Sequence, residues 1–301
     1  MIAEVITKAS DYLMRAQQPD GLWVDYELPV GRSDEWVSAF AGLALIEATN
    51  IGVINARPEL TCAAITLTKR QRTTGGWGYN HFCKADTDST SFVCQFFSHL
   101  GWRVEPISIL FIEDHWQANA GCFSTYKGPL AWGSGHFDVT PYALLSISDQ
   151  IKEKILPVFL SKLNYHRDFG RGWQSYWWRN SLYSTLITLE VLKKLGRISI
   201  VLPFTDFKNN TSSDAFDLAC LLGIAYYAKW EKSIKQSYVS QLILSQLPNG
   251  SWKGSPQLRV THPGCYEPWV NPIGECYTDI KSVITTSLAI RALTRQIKSD
   301  S

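Results

Sequence analysis

The chain has 301 residues and a formal charge of +2, with its Lys and Arg scattered, which argues against a nucleic-acid partner held by phosphate contacts. Seven Cys with no regular spacing and no C-x-x-C pair point to reduced thiols in the cytoplasm rather than a disulfide framework. Twelve Trp, thirteen Tyr and thirteen Phe exceed what one core of this size needs, so some of them are expected to line a cavity.

In chain order, the first segment, "MIAEVITKASDYLMRAQQ", sets Glu4, Lys8, Asp11 and Arg15 at helical spacing and reads as an amphipathic helix rather than a signal peptide. It ends in "QQPDGLW", a pattern of Gln, then Gly, then an aromatic two residues on. The pattern returns in "QRTTGGW" (Gln71, Gly75, Trp77), "QANAGCF" (Gln117, Gly121, Phe123) and "QLPNGSW" (Gln246, Gly250, Trp252), with a degenerate copy, "RDFGRGW", at Trp173. Spacings near 50 residues between the first copies signal a repeat architecture. Helices are expected before each copy, over 2–17, 57–72, 105–118, 150–165 and 232–246, with a short one at 198–206. A second set is expected after the copies, over 35–49, 88–101, 138–148, 180–195, 214–229 and 279–297. The second set is richer in Ala, Leu, Ile and Ser and poorer in charge, as in "WVSAFAGLALIEA", and a helix apolar nearly all round is buried. The expected fold is therefore all-α: a single α/α barrel over 1–301, a toroid of six inner and about six outer helices. No apolar run is long enough to span a bilayer. Residues 253–278 read as a long loop bearing Tyr266, Trp269 and Tyr277, of the kind that serves as a lid.

The inner helices begin with acids: Asp34 and Glu35, Asp86 and Asp88, Asp138, Asp214 and Asp217, then Glu275 and Asp279. If the inner helices run parallel, these starts surround one mouth. Helix capping accounts for single acids there. It accounts less well for the pair Asp86 and Asp88 in "DTDST", since one cap suffices. Two chemical readings compete. His81, Cys83, His136 and His262 fall near the same mouth, but no spacing of a closed zinc set is present. Alternatively, one carboxyl kept neutral by burial and by a like charge two residues away is a Brønsted acid.

These residues carry a resemblance. The chain resembles the catalytic β domain of class II terpene cyclases, the squalene-hopene cyclase family. The Gln-to-Trp segments resemble that family's QW motifs, and "DTDST" resembles its D-x-D-D-T acid motif, with Ser89 in place of the third Asp, as related oxidosqualene cyclases also lack it. "DVTPY" resembles D-V-T-A-H, with Tyr142 where the family has His. "GWQSYWWRNSLYST" resembles the later cavity segment, matching Trp173, Trp177, Tyr183 and Thr185. The resemblance implies a proton-initiated cyclisation or isomerisation of an isoprenoid or similar polyene. It implies Asp88 as general acid, Asp86 as its electrostatic partner, and Asp138 and Tyr142 as the hydrogen-bonding network that returns the proton. The aromatics expected in the substrate cavity are Trp36, Trp173, Trp177, Trp178, Tyr183 and Trp269. No redox cofactor or protein-bound metal is implied; Mg2+ would be needed only for a diphosphate-bearing substrate. The family's γ domain has no counterpart here, so the mouth needs another cover: a γ-like subunit, self-association, peripheral contact with a membrane, or the 253–278 segment. Two other readings remain: a non-catalytic or partner-dependent toroid that binds an apolar ligand, and proton-driven chemistry on a non-terpene chain. Protein prenyltransferase β subunits share the barrel, but their zinc-binding Asp-x-Cys and distant His are not found.

Overall fold

A computed structural model describes every residue except 169–170, 202–204, 209, 211, 271–273 and 301. Parts of the expected 198–206 helix and of the 253–278 segment lie outside the described residues. The chain is mostly helical: α1 (Ile2–Ala16), α2 (Glu35–Asn50), α3 (Arg57–Arg70), α4 (Thr87–Leu100), α5 (Pro106–Glu113), α6 (Thr140–Ser146), α7 (Asp149–Lys162), α8 (Leu182–Lys194), α9 (Ala215–Tyr227), α10 (Lys232–Ser245) and α11 (Val283–Asp300). It is not purely α. Antiparallel pairs form between β1 (Asp25–Leu28) and β2 (Gly31–Ser33), and among β3 (Trp116–Gln117), β4 (Cys122–Ser124) and β5 (Gly135–His136). Two more pairs follow, β6 (Arg167–Asp168) with β7 (Gly172–Trp173), and β8 (Pro256–Thr261) with β9 (Gly274–Thr278). The last pair lies within the loop expected over 253–278, whose residues 262–270 form neither helix nor strand, and it moves Glu275 from a helix start onto an exposed strand.

Six helices contact each other in cyclic order: α2 on α4, α4 on α6, α6 on α8, α8 on α9, α9 on α11 and α11 back on α2. These are the apolar helices. Residues on all sides of α2 and α9 are buried, whereas α3 and α10 bury one stripe. The other helices pack outside them, α1 against α2 and α11, α3 against α2 and α4, and α10 against α9.

The repeated motif explains how the outer helices are tied. Trp23, Trp77, Trp173 and Trp252 are fully buried. Each donates its indole N–H to a carbonyl near the end of the preceding outer helix: Leu13, Leu67, Leu163 and Leu242. Those carbonyls are among the last of a helix, which have no partner within it. Three of the Gln side chains reach the next outer helix. Gln17 donates to the Glu59 carbonyl on α3, Gln71 to Ser108 on α5, and Gln246 to the Val5 carbonyl on α1, which links the last outer helix to the first. Gly21, Gly75 and Gly250 adopt positive φ, and a Cβ at Gly250 would lie 2.2 Å from the Lys8 carbonyl oxygen. A hydroxyl in the first turns of the next inner helix completes each unit: Ser38, Thr90, Thr140, Thr185 and Thr286 each accept the aromatic's backbone N–H.

The inner helices run the same way. Near their starts, Trp36, Phe92, Tyr142, Tyr183 and Phe216 form one aromatic cluster. At their other ends, Glu47, Glu190, Arg291 and Arg295 form one buried ion network. The helix starts therefore share one end, where Ser255, just before β8, donates to Asp214 and Asp279, and Gln257 of β8 donates to Asp217.

Candidate active site

At that end lies a cavity of about 370 Å³. Its floor is the start of α4, with Asp86, Asp88 and Ser89. Its walls are largely aromatic: Trp36 from α2, Tyr79, Tyr126 and Trp132 from connecting segments, and Trp177 and Trp178 from the segment before α8. Leu28, Pro29 and Val30 at the β1–β2 turn form one side of the opening. Leu258 and Val260 of β8 and Tyr277 of β9 form the other. Strand alternation explains β8: Leu258 and Val260 line the cavity while Arg259 between them points away.

The two acids of "DTDST" have different jobs. Asp86 is the N-cap of α4 and accepts from Ser89 N at 2.7 Å and Ser89 Oγ at 2.9 Å. Burial pushes its pKa up to about 7, against the pull of the Ser89 donors. Asp88 sits one turn-position further, with its accessible surface opening onto the cavity, and accepts no hydrogen bond among the described residues. Burial, then Asp86, then Asp138 all hold its carboxyl well above the ordinary range, and nothing acts in the opposite direction.

The other acids near the mouth are engaged. Asp34 pairs with Arg70, and Glu35 with Arg72 and Gly78 N. Asp214 caps α9, Asp217 meets Arg179 and Asn180, and Asp279 accepts from Ser255 N and Thr285 N. Asp138 is buried behind the cavity. Its Oδ2 accepts from Ser175 Oγ, Tyr176 N and Trp177 N, each at 2.8 Å, while Oδ1 finds no partner among the described residues. Burial pushes Asp138 up, and those donors and Arg259 pull it down.

The expected site residues divide. Trp36, Trp177 and Trp178 line the cavity with Asp86 and Asp88. Tyr183 lies beneath them, against Trp178 and Phe40, with its hydroxyl unpartnered among the described residues. Three residues are placed elsewhere. Tyr142 turns toward the centre of the helix ring, where its hydroxyl accepts from Arg291 Nη1 at 2.8 Å and its ring packs on Phe92. Trp173 is the aromatic of a repeat motif and is consumed by packing between Phe137 and the end of α7. Trp269 is exposed beyond the far side of the hairpin. His136 is buried, stacked on Tyr176 and hydrogen-bonded to Thr125, with burial pushing it down to about 3. Thr125 in turn accepts from Trp177 Nε1 at 2.7 Å, which fixes that wall. Among the described residues no group of three or more His, Cys, Asp or Glu side chains is placed to hold a metal ion. The seven Cys are free, and no described helix is long and apolar enough to cross a membrane.

No protein-family model and no curated protein matches the chain. Solved structures do. The type II terpene cyclase MstE from Scytonema superposes with a TM-score of 0.85 at 22% identity, covering 99% of this chain and 98% of that one. A protein from Actinoplanes superposes at 0.81 with 23% identity over 98% of this chain and 100% of that one. The ent-copalyl diphosphate synthase from Streptomyces platensis matches at 0.59 and 12% identity, over 86% of this chain and 50% of that larger one. The fold is that of these proteins. MstE variants are known in complex with geranylgeranyl dihydroxybenzoate as substrate and with merosterolic acid A as product.

Proposed function

We propose that this protein is an α/α toroid of the terpenoid cyclase type that works as a class II cyclase, converting a linear isoprenoid or similar polyene to a cyclised or isomerised product by protonation at Asp88. One observation carries the reading: a carboxyl with no hydrogen-bond partner among the described residues stands on the floor of an aromatic cavity, where burial and two neighbouring carboxyls favour its protonated form. A neutral carboxylic acid there has a proton to give and no competing acceptor. The proton passes from Asp88 to one carbon of a C=C bond, leaving Asp88 as carboxylate and the adjoining carbon as cation. Attack by further C=C bonds closes rings, and the last cation gives up a proton to solvent, from which Asp88 is reprotonated, so the product has unchanged mass. The faces of Trp36, Trp177 and Trp178 stabilise the cation by about 0.5–2 kcal/mol each. The hairpin and the β1–β2 turn keep water from capturing it.

The cavity also bears on the substrate. Among the described residues its lining carries no Lys, Arg or His. The part of the substrate that enters is therefore neutral and apolar, as is the prenyl portion of the compound bound to MstE. A diphosphate, with its Mg2+, would have to stay outside. The test is to incubate purified protein with farnesol, geranylgeraniol, geranylgeranyl dihydroxybenzoate, squalene and the prenyl diphosphates with Mg2+, and to look for products of unchanged mass and altered retention. An isomeric product absent with Asp88→Asn supports the reading. No product from any of them, or product formation unaffected by Asp88→Asn, refutes it.

A further inference from the structure

The β8–β9 hairpin does more than wall the cavity. Its outward-facing Arg259 is buried, although an arginine on the back of a surface hairpin is ordinarily solvated. The two terminal nitrogens of the guanidinium donate to main-chain carbonyls, while Nε has no partner among the described residues. Nη1 donates to Pro268 at 2.7 Å, and Nη2 to Ser175 at 2.8 Å and to Trp178. The same 175–179 segment is tied to the hairpin twice more, by Arg259 N to the Trp177 carbonyl at 2.7 Å and Arg179 N to the Gln257 carbonyl at 2.8 Å.

The segment's other edge faces Asp138. The peptide joining Ser175 to Tyr176 has its C=O on Arg259 and its N–H on Asp138 Oδ2. In a trans peptide these two groups point in opposite directions. That single planar unit thus lies between a buried cation and a buried acid, with its dipole aligned favourably to both. Ser175 Oγ and Trp177 N add two more donors to the same oxygen. Burial on balance raises the Asp138 carboxyl, and the three donors and Arg259 work against it in favour of the ionised form; an ionised Asp138 in turn favours the protonated form of Asp88.

We propose that Arg259 is a positioning residue for the acid: from the back of the hairpin it fixes the 175–178 segment whose amides hold Asp138 behind Trp177, a wall of the cavity that Asp88 floors. The hairpin then does two things at once. Leu258 and Val260 close the cavity, and Arg259 sets the electrostatics of its floor. The proposal rests on Asp88 being the proton donor. The charged and titratable groups around the pair are Asp86 on α4, Tyr126 on the segment after β4, Tyr183 on α8, Cys122 on β4 and Tyr176 before α8. His136, stacked on Tyr176, is also near and is pushed down to about 3 by burial; among the described residues Arg259 is the cation that acts on Asp138.

The test reads both carboxyls without substrate. Protein labelled with 13C at the Asp side-chain carboxyls is titrated by NMR, with Asp88 and Asp138 assigned from Asp88→Asn and Asp138→Asn. In Arg259→Met we expect Asp138 to titrate at higher pH than in wild type and the Asp88 midpoint to fall by about one unit. Arg259→Lys, which keeps the charge and part of the donor set, should recover most of both shifts. The high-pH limb of turnover should move to lower pH with the Asp88 midpoint. Unchanged titrations of both carboxyls in folded Arg259→Met would overturn the proposal, as would loss of activity with an unmoved pH limb. If Arg259→Met does not fold, Ser175→Ala, which deletes one donor to Asp138 Oδ2, must shift both carboxyls in the same directions, and its failure to do so overturns the proposal equally. Failure of the underlying reading looks different: Asp88→Asn would keep its turnover while the two titrations remain linked to Arg259.

Discussion

Replacing Asp86 by Asn isolates one charge at the floor of the site. The amide oxygen can still accept from Ser89 N, the nitrogen can donate to Ser89 Oγ, and Asn caps helices as well as Asp does. What is lost is a carboxyl raised from 3.8 to about 7 by burial. A raised carboxyl contributes stability that is fully present below its ordinary pKa and is lost as pH rises through its folded value. The difference is about 3 units, or about 4 kcal/mol at 1.36 kcal/mol per unit. Wild type and Asp86→Asn should therefore be nearly equal in stability at pH 4. The variant should gain with pH and lead by about 4 kcal/mol at pH 8. Urea unfolding followed by circular dichroism at unit steps of pH measures this directly. A second consequence follows for turnover. Without the like charge, Asp88 loses its proton at lower pH, and activity at pH 8 should drop more than at pH 6. A stability difference that stays constant from pH 4 to 8, or a wild type more stable at pH 8, would refute the assignment of Asp86 as a buried, strained charge.

Trp252→Phe should cost about 1–3 kcal/mol, because the Leu242 carbonyl at the end of α10 loses its donor, and should leave the pH profile of turnover unmoved. Arg291→Met should cost about 3–5 kcal/mol, since it leaves Glu190 buried beside fewer cations and removes the donor to Tyr142; thermal unfolding checks it. Excising residues 257–277 and joining the ends with a short Gly-Ser linker should keep the helical circular dichroism signal while abolishing cyclic product or diverting it to alcohols. The same product at the same rate would show that the hairpin is not the cover.

The repeat, the order of helices and the acid pair were legible because they depend on local pattern. Gln, Gly and Trp recur in register, and an apolar helix differs visibly from a striped one. The division of labour inside "DTDST" was not, since only the fold shows which carboxyl turns to Ser89 and which to the cavity. Trp173 illustrates a second limit: the same residue type serves as motif staple and as cavity wall, and its indole N–H to Leu163 decides between them. Tyr142 follows the inner helix toward the ring centre, where Arg291, distant in sequence, claims its hydroxyl. The 253–278 segment read as a loop because Pro and Gly punctuate it, yet the short run Gln257 to Thr261 alternates as a strand does. Arg259 carried no signal at all, because its partners are main-chain carbonyls and any residue supplies one.

The central claim is that Asp88 delivers the proton. The most direct measurement is single-turnover product formation by Asp88→Asn against wild type on whichever polyene is cyclised, with the unfolding temperature measured on the same samples. The account predicts a loss of at least about 10²–10⁴-fold, the span of general-acid contributions, with binding retained by quenching of the cavity tryptophans. It also predicts no loss of unfolding temperature at neutral pH, since the cap belongs to Asp86 and the raised Asp88 carboxyl is a cost to the fold above its ordinary pKa. Turnover within a few-fold of wild type, or inactivity explained by unfolding, would contradict it.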